Sequence, residues 1–317
     1  MTPHKILIIG IAGGLAQMTA RLILTAHPDW EIIGIDSRNT AKVPPLKGLT
    51  TIELKYSRGN FENLFRTHQF QSVYHLGRIS HSSNTHNVLA KRIELSVMGT
   101  NRILELCERS DVKKVVILST FHVYGALPDN SIFLNEEAPL RASMKHPELR
   151  DVIEMDQICT NWMWKNQNNI STVVLRPCNI IGSQIQNAMT RFLAGPIALS
   201  PADYNPFFQF IHEFDMAQVL YKVLTGVPTG TYNVAGDDFI ALREALKVVG
   251  TKGIPFPMVL AGGLNSALKK FNIDVPDYLL DYLKFSCLIS NNELKKHLGP
   301  DFMRFSINES LEMIKLR

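Results

Sequence analysis

Short apolar runs recur along the first three quarters of the chain, with stretches of helical periodicity between them. The apolar run over residues 6–9 has the length and β-branching of a buried parallel strand. Residues 30–36 form a second such run, ending on Asp36. Residues 51–56 alternate as a third strand, 71–76 read as a fourth, 112–119 as a fifth and 171–177 as a sixth. A further strand is predicted at 231–235. Helices are predicted from Gly14, over 61–65, over 86–109 and over 150–167. In 86–109, Val88, Leu89, Ile93, Val97, Ile103, Leu104 and Leu106 are spaced as one buried stripe. Strands alternating with helices at this spacing predict an α/β fold, a doubly wound parallel sheet covered on both faces. Ligands of such sheets bind at the carboxyl ends of the strands.

Beyond residue 180 the pattern loosens, with Pro196, Pro201 and Pro206 interrupting an aromatic-rich segment. Asp215 is the expected N-cap of the next helix. The remainder reads as mostly helical. Ser290 with Glu293 and Ser306 with Glu309 have capping-box spacing, and Pro257 suits the first turn of a helix over 258–271. The expected division is a dinucleotide-binding domain over 1–178, rejoined by about 209–236, and a smaller substrate lobe over 179–317.

The first strand runs straight into glycines. Gly10, Gly13 and Ala16 stand three residues apart before a helix. The first glycine permits a sharp turn, the second leaves no Cβ between backbone and a phosphate, and the small third residue lets helix and strand pack closely. The helix start then offers free N–H groups to an anion. Asp36 lies twenty residues after Ala16, where a dinucleotide fold places the acid that accepts from the adenosine ribose. This is a Rossmann-type signature. The acid favours NAD over NADP, because it repels a 2′-phosphate. Arg38 weakens that preference, since it can neutralise one. No Gly-Lys-Ser/Thr follows the glycines, which argues against a nucleoside-triphosphatase loop.

Composition narrows the rest. The 317 residues are 45% apolar and 20% charged, as in a soluble globular protein large enough for a sizeable core. Net charge is +4 with no basic run longer than a pair, so nucleic acid is not an expected partner. Cys107, Cys159, Cys178 and Cys287 are far apart and are expected to be buried reduced thiols. No metal site is expected. The first strand begins by residue 5 and no run approaches the ~18 apolar residues of a membrane span. A cytoplasmic location with no signal peptide and no membrane contact is expected.

Several further pieces stand in order: His75-Leu76-Gly77, Ser96 to Thr100, Ser119-Thr120 with Val123-Tyr124-Gly125, Leu175-Arg176-Pro177-Cys178-Asn179 with Gly182, His212 with Asp215, and residues 230–235. With the glycine turn and Asp36, they make the chain resemble the extended short-chain dehydrogenase/reductase superfamily, in its NAD-dependent epimerase/dehydratase branch, over nearly its whole length. The resemblance implies an oxidoreductase or isomerase with NAD along the carboxyl edge of the sheet. Gly10, Ile11, Ala12, Gly13, Gly14, Leu15 and Ala16 would hold the pyrophosphate, and Asp36, with Arg38 beside it, the adenosine ribose. Leu76, Gly77 and Ser119 would line the cofactor, and Pro177 would pass the nicotinamide. Thr120 matches the family's catalytic Ser/Thr, and Asn179 sits where members contact substrate, commonly a nucleotide sugar. Arg78 and His122 are further candidates for the substrate, Arg78 through a phosphate. A homodimer through the helices 86–109 and 150–167 is usual in the superfamily.

One feature of the family is missing. Its enzymes carry a tyrosine, the general base, and a lysine four residues later at the start of the helix after the Val-Tyr-Gly turn. Two alignments put Glu148 and Val152, or Ile153 and Gln157, in those positions. No tyrosine in the chain has a lysine four residues after it. Candidates for the missing base are His122, Tyr124, Glu148, Glu154 and Asp156. Glu148 acts as base if burial raises its pKa; otherwise it is a first-turn glutamate complementing the helix dipole. Three functions follow: an epimerase/dehydratase-type enzyme with a base other than tyrosine, an inactive NAD-binding sensor or scaffold, or an atypical NADP-linked reductase.

Overall fold

The structure is a computed structural model that describes residues 4–77, 94–185, 187–260 and 277–315. Its central sheet contains β1 (Lys5–Ile9), β2 (Glu31–Asp36), β3 (Leu49–Glu53), β4 (Ser72–His75), β5 (Lys114–Leu118) and β6 (Ser171–Pro177). Four short strands outside this sheet follow: β7 (Asn179–Ile181), β8 (Ile197–Pro201), β9 (Phe207–Phe208) and β10 (Phe210–His212). The chain then returns as β11 (Gly230–Val234) to complete the sheet in the order β11-β6-β5-β4-β1-β2-β3, all parallel.

β1 shows why the apolar runs are continuous rather than alternating. Ile6 and Ile8 face one core and Leu7 and Ile9 the other, and all four are fully buried. A strand covered on both faces has no polar side, and each such side chain contributes about 1.5–3 kcal/mol of burial. On one face lie α1 (Gly14–Ala26) and α7 (Glu213–Lys222), with the core running on into residues of the C-terminal segment. On the other lie α2 (Arg58–Thr67), α3 (Gly99–Arg109) and much of α5 (Arg150–Asn166). α4 (Ala142–Lys145) and a 3₁₀ turn at Pro147–Leu149 lead into α5. The remaining helices among the described residues are α6 (Ala188–Ala194), α8 (Leu242–Val249), α9 (Asp277–Tyr282), α10 (Asn292–Leu298) and α11 (Ile307–Lys315).

Several expectations need correction. The described part of the helix expected over 86–109 begins with a π-helical turn at Glu94–Met98; residues 86–93 lie outside the described residues. The expected helix after Pro257 is a single 3₁₀ turn at Met258–Leu260, and 261–271 lie outside. Asp215 is not an N-cap. His212 caps α7, its Nδ1 accepting from the Phe214 N–H at 3.2 Å. Asp215 instead accepts the Arg304 and Phe305 N–H groups, each at 3.0 Å, a tertiary demand that local spacing does not reveal. Asn291, not Ser290, stands at the N-cap position of α10. The second capping box is real: the Ser306 N–H donates to Glu309 at 2.8 Å and the Glu309 N–H returns to Ser306 Oγ at 3.3 Å. The C-terminal segment also holds β12 (Ile240–Ala241) and β13 (Lys252–Phe256), so it is less helical than expected.

All four cysteines are buried and unbridged. Among the described residues no helix is long and apolar enough to cross a membrane, and no His, Cys, Asp and Glu side chains gather as a metal site requires.

Candidate active site

The glycine turn leaves β1 at Gly10, whose φ of +98° only glycine adopts without strain. Its Cα faces the turn after β4, where a Cβ would lie 2.7 Å from the Gly77 backbone. The two glycines bring the ends of β1 and β4 together. The Gly10 and Ile11 N–H groups donate to Ile35 O at 2.8 and 3.1 Å, tying the turn to β2. Gly13 N–H donates to Gly10 O at 3.0 Å, and the first α-helical bond of α1 runs from Gln17 to Gly13 O. The N–H groups of Gly14, Leu15 and Ala16 therefore have no acceptor within the helix. A Cβ on Gly14 would meet Gln184 at 2.9 Å, so the loop after β7 passes directly over this helix start.

Asp36 ends β2 on the same edge, and its carboxylate is fully engaged. Oδ2 accepts from the Ala12 N–H at 3.1 Å and from Arg38 Nη2 at 2.8 Å. Oδ1 accepts from Arg38 N–H at 2.9 Å and Arg38 Nε at 3.0 Å. Burial pushes the Asp36 carboxyl up, but the hydrogen bonds and charge of Arg38 outweigh it and hold the group below the ordinary aspartate range. Leu76 and Gly77 follow β4, Leu76 N–H donating to Ile9 O at 3.0 Å.

The other half of the site follows β5 and β6. Thr120 Oγ1 lies 2.9 Å from His122 Nδ1 and also accepts from the His122 N–H. The His122 ring sits among Phe121, Tyr278 and Tyr282, with centroids at 4.3, 5.6 and 5.0 Å. Ser119, next to Thr120, directs its hydroxyl to buried Asp156. Asp156 also binds Arg176 through two contacts, at 2.6 and 3.0 Å. Arg176 reaches Tyr124 Oη at 3.0 Å, and that hydroxyl donates to Asn233 at 2.8 Å. These bonds remove two of the candidate bases. Asp156 is the counter-ion of Arg176. Tyr124 is buried, which pushes its phenol up to about 12 against the opposing pull of Arg176. Glu154 is paired with Arg150 on α5.

Glu148 is half-open to solvent, its side chain 37% exposed and its Oε1 3.2 Å from His146 Nδ1. The other ring nitrogen of His146 lies 2.6 Å from Asp281, which also takes Lys145 at 2.6 Å. His146 packs toward Tyr278 at 6.5 Å, so both histidines flank one phenol ring. Sequence reasoning missed His146, Asp281 and Tyr278. His146 stands two residues before Glu148 and was open to suspicion on that ground. Asp281 and Tyr278 come from α9, more than 130 residues away, and no local pattern marks them. At the positions where the family pair was sought, Val152 and Ile153 are core residues and Gln157 is exposed. Asn179 on β7 is buried and donates to Gln209 O at 3.2 Å, and Pro177 closes β6 beside β11. Arg78 lies outside the described residues.

The glycine turn, Asp36, Gly77, Thr120 and Pro177 thus all end or follow strands of one sheet at its carboxyl edge. Known proteins are similar to this chain in sequence or fold. An uncharacterized protein of Mycobacterium tuberculosis is 24% identical over 306 residues, covering 94% of this chain and 80% of that protein. The solved dTDP-glucose 4,6-dehydratase of Bacillus anthracis, in complex with NAD, superposes with a TM-score of 0.74 at 16% identity, covering 99% of this chain and 96% of that one. UDP-glucose 4-epimerase of Thermotoga maritima, with UDP-glucose, gives 0.76 at 15% identity, covering 98% and 97%. At such identity these two structures establish the shared fold. The family model of the NAD dependent epimerase/dehydratase family matches residues 6–235, and the chain belongs to that family.

Proposed function

We propose that the protein is an epimerase/dehydratase-type oxidoreductase that uses a NAD-type dinucleotide on a hydroxyl or carbonyl of a nucleotide sugar, with a proton-transferring group other than tyrosine. The observation that carries this reading is the hydrogen-bonded Thr120–His122 pair, set after β5 on the strand edge that also bears the glycine turn. The residues of the turn, with Leu76, Gly77 and Pro177, are suited to hold the dinucleotide, whose nicotinamide would accept and return a hydride. Thr120 would bond the reacting oxygen. His122, 2.9 Å from that hydroxyl, would orient it and exchange its proton. The fold does not bury Glu148, so the base role proposed for it rests on its contact with His146, with Asp281 behind, and not on burial. The apolar Val152 and Ile153 favour a second reading, a dinucleotide-binding sensor without chemistry.

The test is a titration with NADH, read by nicotinamide fluorescence, followed by a turnover screen of UDP- and dTDP-sugars. Binding and turnover of at least one sugar are expected. Thr120→Val and Glu148→Gln should each lower turnover by about a hundredfold or more. Full turnover in Glu148→Gln removes that residue from the role. Binding without turnover of any sugar favours the sensor.

A further inference from the structure

β7 and β10 pair in parallel, with Asn179 beside Phe210, Ile180 beside Ile211 and Ile181 beside His212. Continued by one residue, that register brings Gly182 level with Glu213, the first residue of α7. Glu213 is buried, only 3% exposed. A Cβ on Gly182 would overlap its carboxyl group, so the glycine makes room for it. Among the described residues, every hydrogen bond this carboxylate accepts comes from the loop after β7. The Gln184 N–H donates to Oε2 at 3.0 Å and to Oε1 at 3.2 Å, and the Ser183 hydroxyl donates to Oε1 at 3.2 Å. Burying a carboxylate is costly unless such bonds replace those to water. A first-turn acid commonly complements the dipole of its own helix. Here His212 caps α7, and both Glu213 oxygens bond the loop. Carboxylate and loop therefore hold each other in place.

The tethered loop runs over the glycine turn. Gln184 Cβ, O and Oε1 lie 2.9, 3.2 and 3.3 Å from the position of a Cβ on Gly14, the first residue of α1. Ser183 and Gln184 are themselves exposed, so the loop forms a roof between the helix start and solvent. We propose that Glu213 is a positioning residue: it holds this loop over the start of α1, and the held loop slows the departure of a dinucleotide from the glycine turn. The proposal rests on the dinucleotide reading above. Glu213 bonds the loop and not the turn, so it acts through Gln184. A dinucleotide on the turn would leave past Gln184, and the three hydrogen bonds to Glu213 must open before the loop lifts.

The experiment measures NADH release from the loaded protein by stopped flow, with excess NAD as the chase and nicotinamide fluorescence as the signal. Backbone hydrogen exchange at Gln184 is followed in the nucleotide-free protein. Glu213→Gln should release NADH about tenfold faster or more and speed exchange at Gln184, because an amide has one acceptor oxygen where the carboxylate has two. Ser183→Ala removes one donor from an exposed residue and leaves the fold intact; a smaller rise in release, about threefold, is expected. Association rates should stay within about twofold of wild type in both variants. A merely structural role would lower the urea midpoint without changing release. Faster exchange at Gln184 with unchanged release therefore overturns the retention role and leaves the dinucleotide reading standing. Unchanged exchange in Glu213→Gln overturns the tether itself. If Glu213→Gln does not fold, Ser183→Ala decides alone, and unchanged release in it overturns the proposal. Failure of the wild type to bind NADH overturns the dinucleotide reading and this proposal with it.

Discussion

Asp36 and Arg38 at the end of β2 form the same kind of ion pair as Asp156 on α5 and Arg176 on β6, yet the two pairs differ in burial and in what they leave over. In the second pair the side chains are 0% and 5% exposed, and Arg176 is also bonded to Tyr124 and to Glu136 O at 2.9 Å. Four of the five guanidinium N–H donors of Arg176 have a protein acceptor there. In the first pair Asp36 is buried but Arg38 is 63% exposed, with donors to spare beside an open cavity. A nearly saturated pair can only hold elements together; a half-spent one can take a ligand. The same chemistry becomes scaffold or site according to how many donors the surroundings have consumed.

The largest expected effect comes from breaking the buried pair. Asp156→Ala strands the Arg176 charge and removes a hydrogen bond of Ser119, and should destabilise the fold by about 3–5 kcal/mol in urea unfolding. Replacing both residues with apolar ones of similar volume should recover much of that loss. A single replacement that costs under about 1 kcal/mol would mean that water reaches Arg176 and that the two pairs differ less than their burial implies.

Gly10→Ala acts on the site itself and ranks next. A positive φ costs a side chain about 1–2 kcal/mol, and the new methyl would meet the Gly77 backbone. Dinucleotide affinity should fall by about tenfold or more, from the displaced turn, while circular dichroism keeps the native helix content. Unchanged affinity would break the link between the turn and the cofactor.

The two regions also differ in how far the sequence foretells them. The glycine turn was legible because backbone carries its geometry, spacing setting where N–H groups point, and Asp36 because a β-branched run locates the strand it ends. β1, β2, β5, β6 and β11 appear where those runs are, with ends shifted by a residue or two. The reaction end depends on side chains brought from separate elements. Nothing near His146 announces Asp281, and nothing near Thr120 announces Tyr278. Asp215 misled for the same reason, since the backbone of Arg304 and Phe305 claims it. The Arg38 clasp is an intermediate case. Its two-residue spacing from Asp36 was visible, but only the folded geometry shows that both carboxylate oxygens are taken.

The smallest effect tests that clasp through its pH dependence. The Asp36 carboxyl is held below its ordinary value of 3.8, burial opposing and Arg38 prevailing. The folded chain therefore keeps the ionised form more firmly than the unfolded chain does. The resulting stability is fully present above the ordinary value and is lost as pH falls through it toward the lower folded value. Asp36→Asn lacks this contribution. The stability difference between wild type and Asp36→Asn should stay constant from neutral pH to about 5 and shrink below about 4. Because Arg38 is largely exposed, the difference should be about 1 kcal/mol or less and should fall further in high salt. A difference that persists undiminished to about pH 2 would show that ionised Asp36 is not what the fold selects. The carboxylate would then not be held by Arg38, and the contrast between a nearly saturated pair and a half-spent one would lose its second member.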